Sequence, residues 1–378
     1  MEKRKQLTVW EAACIITGYG IGGGVLAMPY LAAKNGLPLA ALILVIAFAA
    51  SWLLHMMIAE LAAKCGPGAQ IVSVFSRFLF RGKAKTPLTV AFFALMAVVL
   101  VTNLAAYIAG AAEIVSGFLP LPAFAAKLVF YVLAASVVLF GLKAVGVSEK
   151  IAVTLIFLLI AVLAVCSFFV PPQPLPLAAG GLRDALAYYG MAMFAFSAFF
   201  SIPQAVEGLG GDAVKIRKAV FWGLCNNLIL IAVITVCALL ASREVTEVAM
   251  AGWSAGIGAW AQIVGGLFTL LAMLTTYWSI SLALAGIAEE QLRLGRRLCW
   301  LVATLPSLIL ALLNLGGFID FLELAGGAIA IIVAVMVVPA FRSARRELPD
   351  GMAGRFGGGF WQALVILAYI LMGIGSVI

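Results

Sequence analysis

The sequence predicts an all-α membrane protein of about eleven transmembrane helices, with no soluble domain. Of its 378 residues 65% are hydrophobic and only 11% charged, whereas a soluble domain carries roughly 25% charged residues and cannot hide so much apolar surface. Apolar windows of about twenty residues, the length that crosses a bilayer as a helix, recur along the whole chain. Lysines and arginines crowd the gaps between alternate windows, the asymmetry that marks cytoplasmic loops.

The first apolar stretch follows the basic triplet Lys3, Arg4 and Lys5. It outlasts the core of a signal peptide and is read as a retained helix. The windows fall near residues 8–31, 38–63, 87–118, 124–145, 148–170, 184–208, 216–241, 256–288, 297–315, 318–341 and 359–378. With the N-terminus inside, an odd number of spans leaves the C-terminus outside. The cytoplasmic segments then hold the starting triplet, Lys64, Arg77, Arg81, Lys83, Lys85, Lys143, Lys150, Lys215, Arg217 and Lys218. They also hold Arg293, Arg296, Arg297, Arg342, Arg345, Arg346 and Arg355. Of 24 basic residues only Lys34, Lys127, Arg183 and Arg243 fall outside, and an error of one helix would destroy this bias. The expected location is a cell inner membrane.

That placement accounts for the net charge of +8 without a nucleic-acid partner, because the basic groups follow topology. His55 is the single histidine, and Cys14, Cys65, Cys166, Cys225, Cys237 and Cys299 make no CxxC pair and no metal-ligand spacing. No disulfide framework, zinc site or cofactor is expected. An intramembrane enzyme would need a nucleophile with a base, or a motif such as HExxH, and a single histidine excludes most of these.

Two windows are interrupted. Thr17-Gly-Tyr-Gly-Ile-Gly-Gly-Gly24 sets five glycines in eight residues in the middle of the first, followed by Met28-Pro29-Tyr30. Glycine and proline both weaken a helix interior, so an unwound segment is expected. Its freed N–H groups suit a carboxylate and its freed carbonyls a cation. Close packing through small residues is the other reading of such a run. The sixth window repeats the pattern in Phe194-Ala-Phe-Ser-Ala-Phe-Phe-Ser-Ile-Pro-Gln204, just before Glu207. Interrupted spans five helices apart are the mark of two inverted five-helix repeats that share a substrate site. The expected units are residues 1–170, residues 171–341, and an accessory loop and helix over 342–378.

Ile21-Gly-Gly-Gly-Val-Leu-Ala-Met-Pro-Tyr30 resembles the signature of the amino acid and auxin permease family, above all its bacterial aromatic and hydroxy amino acid permeases. Glu60, Ala105-Ala-Tyr-Ile-Ala-Gly-Ala-Ala-Glu113, Ile216-Arg-Lys-Ala-Val220 and Leu274-Thr-Thr-Tyr277 stand where tyrosine and tryptophan permeases carry similar segments. The resemblance implies a LeuT-type fold and cation-coupled transport of a neutral amino acid, the aromatic ones among the candidates, by alternating access. One departure is clear: the aromatic permeases carry a Gly-His pair near the sixth-helix break, whereas here Ser197-Ala-Phe-Phe-Ser201 has no histidine.

On that basis Thr17, Gly22, Gly23 and Gly24 would meet the substrate carboxylate, and carbonyls around Phe196, Ser197 and Phe199 its ammonium group. Tyr107 would close over the site or contact the carboxylate. Asn103, four residues earlier on the same helix face, would bond substrate or a neighbouring helix. Phe194, Phe196, Phe199 and Phe200 would wall an apolar pocket, or pack like ordinary core aromatics. For the coupling ion, Na+ or H+, the resemblance places Ala272, Thr275 and Thr276 beside the carbonyls of Gly18 and Ile21. Proton-coupled relatives often place a lysine in the fifth helix, yet residues 151–169 contain none and Lys150 only stands at its entrance.

Glu60 has Lys64 at i+4, which favours an interfacial ion pair; Glu113, near the outer end of its span, reads equally as functional or structural, and Glu207, Asp320 and Glu323 at span ends could gate or titrate, although solvated ends explain them as well. His55 is read as a satisfied packing residue rather than a proton relay. A channel is the competing class, but channels repeat a filter by symmetry, whereas this chain breaks two non-adjacent helices. A metal-ion carrier of this fold would want an acidic or asparagine ligand in the first break and a methionine in the sixth, and neither is there. The partners expected are an amino acid and the lipid bilayer, and no motif sets an oligomeric state.

Overall fold

The computed structural model describes residues 6–313, 318–348 and 351–377, with side chains described outside 314–331. Lys3, Arg4 and Lys5 and the side chains of Asp320 and Glu323 lie outside the described residues.

Every apolar window falls on a helix or a broken pair. The first span is α1 (Val9–Gly20) and α2 (Gly23–Asn35), bent by 60° at the glycine run. Next come α3 (Leu37–Cys65), a short α4 (Ile71–Phe78), α5 (Lys85–Phe118), α6 (Ala123–Leu139) and α7 (Leu142–Ser167). The sixth window is again two pieces, α8 (Leu182–Ala195) and α9 (Ser201–Gly208). Then follow α10 (Ala213–Ala241), a short α11 (Ala249–Ile257), α12 (Ala259–Leu292), α13 (Arg296–Leu312), α14 (Phe318–Glu347) and α15 (Gly359–Val377). Among the described residues six helices are long and apolar enough to cross a membrane alone, and the bent α1–α2 pair makes a seventh. The short α4 and α11, inside loops, were not expected from hydropathy.

Local chemistry explains both breaks. α1 starts on a capping box, Thr8 accepting from the Glu11 N–H and Glu11 from the Thr8 N–H, and it ends where the glycines begin. The helix then runs straight through Pro29, which lies inside α2, so the glycines break it and the proline does not. In the sixth span the break covers residues 196–200 and Pro203 sits in the first turn of α9, where no intrahelical N–H is required of it.

α1 packs against α9, and α2 against α8. The start of the first span therefore lies beside the end of the sixth, an antiparallel pairing of the kind that inverted repeats require. Around this pair α1 also touches α7, α10 and α12, while α5 lies against α12, α13 and α14.

The polar ties at one end of the bundle join groups that the charge pattern assigned to one face. Buried Glu60 accepts from Arg345 Nε at 3.0 Å, Lys64 Nζ at 2.8 Å and the Ala353 N–H at 2.9 Å. Glu290 accepts from the Gln70 N–H at 3.0 Å and Ser73 Oγ at 2.7 Å, and Lys143 pairs with Glu11 at 2.5 Å. Glu60 thus makes the ion pair with Lys64 expected of it and recruits a second cation from α14. Glu113 is exposed at the far end of α5.

Removing Glu60 leaves two cations facing each other with nothing between them. Glu60→Ala is expected to lose about 3 kcal/mol of stability, read as a lower thermal unfolding midpoint in detergent, with Glu60→Gln intermediate.

Candidate functional site

A cavity of about 40 Å³ lies where the two breaks meet. Gly22, Gly23 and Gly24 line one wall and Phe194, Ser197 and Phe199 the other, with Asn103, Tyr107 and Thr276 closing it from α5 and α12. Eight of the ten residues expected at the substrate site line this cavity, the exceptions being Thr17 and Phe196.

Those two are corrections. The Thr17 hydroxyl lies 2.9 Å from Ala13 O and 3.1 Å from Gly223 O, and it accepts from Asn226 Nδ2 at 3.1 Å. It therefore faces α10 and joins two helices. Phe196 is fully buried with its ring 5.8 Å from that of Phe48, edge to face. Each lies one helical face away from the cavity.

The floor is the start of α2. Gly22 caps that helix with no side chain, so the first N–H groups of α2 have no intrahelical acceptor and carry the positive end of its dipole. The Tyr107 hydroxyl reaches the Gly23 backbone and the Thr276 side chain. A methyl on Gly22 would come within 2.6 Å of that hydroxyl. Beside it α8 ends at Ala195, the negative end of a dipole. The side walls are aromatic, with Tyr19, Phe194, Phe199 and Phe200 all lining the cavity, and the Tyr19 and Phe200 rings lie 6.3 Å apart. Asn103 Oδ1 is buried and has no partner among the described residues.

The break in the sixth span is held by a residue that sequence reasoning assigned to packing. His55 Nε2 accepts the Ala198 N–H at 2.9 Å, Nδ1 lies 2.6 Å from Ser51 O, and the ring stacks on Phe199 at 5.3 Å. These partners assign the tautomer: Nδ1 carries the proton and Nε2 accepts. His55 is satisfied, as expected, and it also fixes the unwound backbone. Gln204 Nε2 bonds Ser279 O at 2.8 Å and ties α9 to α12.

The expected ion-site residues are close together behind α1. Thr276 Oγ1 lies 3.0 Å from Gly18 O and 2.9 Å from Ala272 O, and Thr275 Oγ1 donates to Ala272 O at 2.9 Å. Ile21 is buried at the end of α1. Thr276 also lines the cavity between the breaks, so one side chain touches both places.

Three residues of this region escaped the sequence reading. Tyr19, inside the glycine run, reads as part of a break rather than as a wall. Asn227 is fully buried on α10 beside Gly20, and neither amide atom has a partner among the described residues. Glu149 is fully buried on α7 against Gly18. Its neighbour Lys150 marked that stretch as a solvated helix entrance.

Comparison with known proteins agrees with this geometry. Residues 5–376 match the tryptophan/tyrosine permease family. The tyrosine-specific transport system 1 of Haemophilus influenzae is 26% identical over 391 residues, covering 95% of this chain and 94% of that protein. Among solved structures, Mhp1, a nucleobase-cation-symport-1 family transporter in a closed conformation with bromovinylhydantoin bound, superposes with a TM-score of 0.67 at 13% identity over 100% of this chain and 93% of its own. A manganese transporter of Eremococcus coleocola gives 0.67 at 15% identity, over 100% and 87%. At such identities the likeness is one of fold, the LeuT-type arrangement that the paired breaks predict.

The close approach of Tyr107 to Gly22 yields a paired test. Gly22→Ala is expected to weaken substrate binding by about tenfold or more, a loss of roughly 1.4 kcal/mol, and Tyr107→Phe in the same chain to recover part of it. Phe196→Ala, away from the cavity, should lower thermal stability and leave affinity within about threefold. Binding to purified protein by scintillation proximity reads both.

Proposed function

The chain belongs to the tryptophan/tyrosine permease family and is a multi-pass secondary transporter, and from that premise we propose that it carries an aromatic amino acid, tyrosine first, together with a cation. The observation that supports this reading most directly is the cavity between the breaks, polar at two opposed helix ends and aromatic between them. An α-amino acid carries a carboxylate, an ammonium group and a side chain. The N–H end of α2 suits the first, the carbonyl end of α8 the second, and Tyr19, Phe194, Phe199 and Phe200 the third. Asn103, with a free carbonyl oxygen, would meet a hydroxyl or indole N–H and give preference for tyrosine or tryptophan over phenylalanine. The curated relative is tyrosine-specific by name, and that specificity comes to this chain only as part of the proposal.

Transport would follow from rocking of the α1–α2 and α8–α9 pair against the helices around it, so that the cavity faces each side in turn. The residue units 1–170 and 171–341 are the two repeats in this reading. The chain would sit in a cell inner membrane with its N-terminus cytoplasmic and its C-terminus outside, the orientation that places Glu60, Arg345, Glu11, Lys143 and Asp212 on the positive-inside face.

The test is exchange of radiolabelled tyrosine in proteoliposomes, with unlabelled amino acids as competitors. Tyrosine and tryptophan are expected to compete about tenfold or more better than serine and alanine, the scale of one aromatic side chain moved from water into an apolar wall. Asn103→Ala should erase the advantage of tyrosine over phenylalanine. Competition by serine and alanine but not by the aromatics would overturn the substrate assignment.

A further inference from the structure

Behind the broken first span, on the side away from the substrate cavity, Glu149 lies fully buried among α1, α7 and α12. Its Oε1 takes a hydrogen bond from Ser279 Oγ at 2.8 Å, and its Oε2 has no partner among the described residues. The carboxylates Glu11 and Glu60 are both paired with basic side chains, but no ion pair reaches Glu149 among the described residues. An ionised carboxylate with one bare oxygen, out of water and without a counter-charge, costs several kcal/mol. A positive charge has to arrive from elsewhere.

The hydrogen bonds make the same demand. Ser279 Oγ lies 3.2 Å from Ile15 O as well as 2.8 Å from Glu149 Oε1. A hydroxyl has one proton, so with Glu149 ionised it serves either Glu149 or Ile15 O and not both. A proton on Oε1 closes the chain, Glu149 donating to Ser279 and Ser279 to Ile15 O. A metal cation against Oε2 would neutralise the same charge. Both are monovalent positive charges bound by one carboxylate.

We propose that Glu149 is the cation-binding carboxylate of this transporter, holding one H+ or Na+ against the back of the broken first span, with Ser279 as its partner. Glu149 reaches the substrate through two atoms of that span. A methyl on Gly18 would overlap Oε2, and the same glycine's carbonyl is held by Thr276, which lines the substrate cavity. Charge at Glu149 therefore bears on the piece of backbone that the substrate binds from its other face. The charged and titratable groups nearest it are Cys14 on α1, Lys150 on α7 and, toward the cytoplasmic end, the Glu11–Lys143 pair. None of them is bonded to it, which leaves the cation as its one available counter-charge.

The inference rests on the transport reading, and the experiment separates the two. Full-length protein in proteoliposomes is assayed for tyrosine exchange with no gradient, and for accumulation under an imposed proton gradient and, separately, a sodium gradient. Glu149→Gln is expected to lose accumulation by about tenfold or more under whichever gradient drives the wild type, the scale of one charge interaction, while exchange falls far less. Absence of exchange in the wild type with any amino acid would overturn the transport reading. Wild-type accumulation retained by Glu149→Gln would overturn the role of Glu149 alone.

Wild-type protein supplies a second readout if the variant fails to fold. Dicyclohexylcarbodiimide modifies protonated carboxyls in apolar surroundings, and peptide mass spectrometry reports the position. Labelling at Glu149 that fades as pH rises identifies the proton, and labelling suppressed by added sodium identifies sodium. Labelling that responds to neither, or no labelling at any pH, would overturn the proposal.

Discussion

A polypeptide cannot leave a backbone N–H or carbonyl bare in hydrocarbon, and two of this protein's apolar windows are interrupted partway along. Everything around them answers that constraint. Thr276 binds Gly18 O, Ser279 approaches Ile15 O, His55 accepts the Ala198 N–H, and Gln204 reaches Phe200 O and Ser279 O. The polar side chains that cover the breaks come from α3, α9 and α12, and of these helices α12 also walls the cavity, through Thr276 and Ile280. Structural cover and cavity thus meet in Thr276. Any movement of the broken spans has to exchange these bonds, so a rigid α12 and α3 with movable α1 and α8 is the arrangement in which transport costs least.

The antiparallel pairing gives the cavity its polarity. The N–H end of α2 and the carbonyl end of α8 belong to neighbouring half-helices running opposite ways, so opposite dipole charges meet side by side at one small space. A zwitterion fits that field; a simple cation or anion would meet one favourable end and one unfavourable. Aromatic rings fill the remaining walls, and in a membrane core they cost nothing to place.

The sequence was legible where a physical signal was long or dense. Twenty-residue apolar windows fell on helices or broken pairs throughout, six of them long and apolar enough to cross a membrane alone among the described residues, and the glycine run located the break with Gly22, Gly23 and Gly24 at the cavity. Thr17 and Phe196 were misplaced because a run of residues near a break does not say which face each one turns, and one step along an unwound segment changes the face. His55 was correctly read as satisfied, but its acceptor role at Ala198 depends on a contact 143 residues away, which no local pattern encodes. Glu149 was missed because hydropathy treats a charge beside Lys150 as the solvated end of a helix. α7 begins seven residues earlier, at Leu142, which carries Glu149 two turns into the bundle.

The glycine run itself acquires a more specific meaning. Flexibility would ask only that glycines be present somewhere in the break, yet four of the five meet different neighbours that a Cβ would crowd. Gly18 faces Glu149 of α7, Gly20 faces Asn227 of α10, Gly22 faces Tyr107 of α5, and Gly24 faces Phe194 and Ala195 of α8. Four helices approach the backbone of one span, two with a cavity-lining wall and two with a buried polar group whose bonding is incomplete. The spacing of two residues turns successive glycines to different sides of the chain, which is why a single segment touches both the cavity and a buried carboxylate. Coupling between them then needs no long pathway: displacing the backbone on one side moves the opposite side by the same amount.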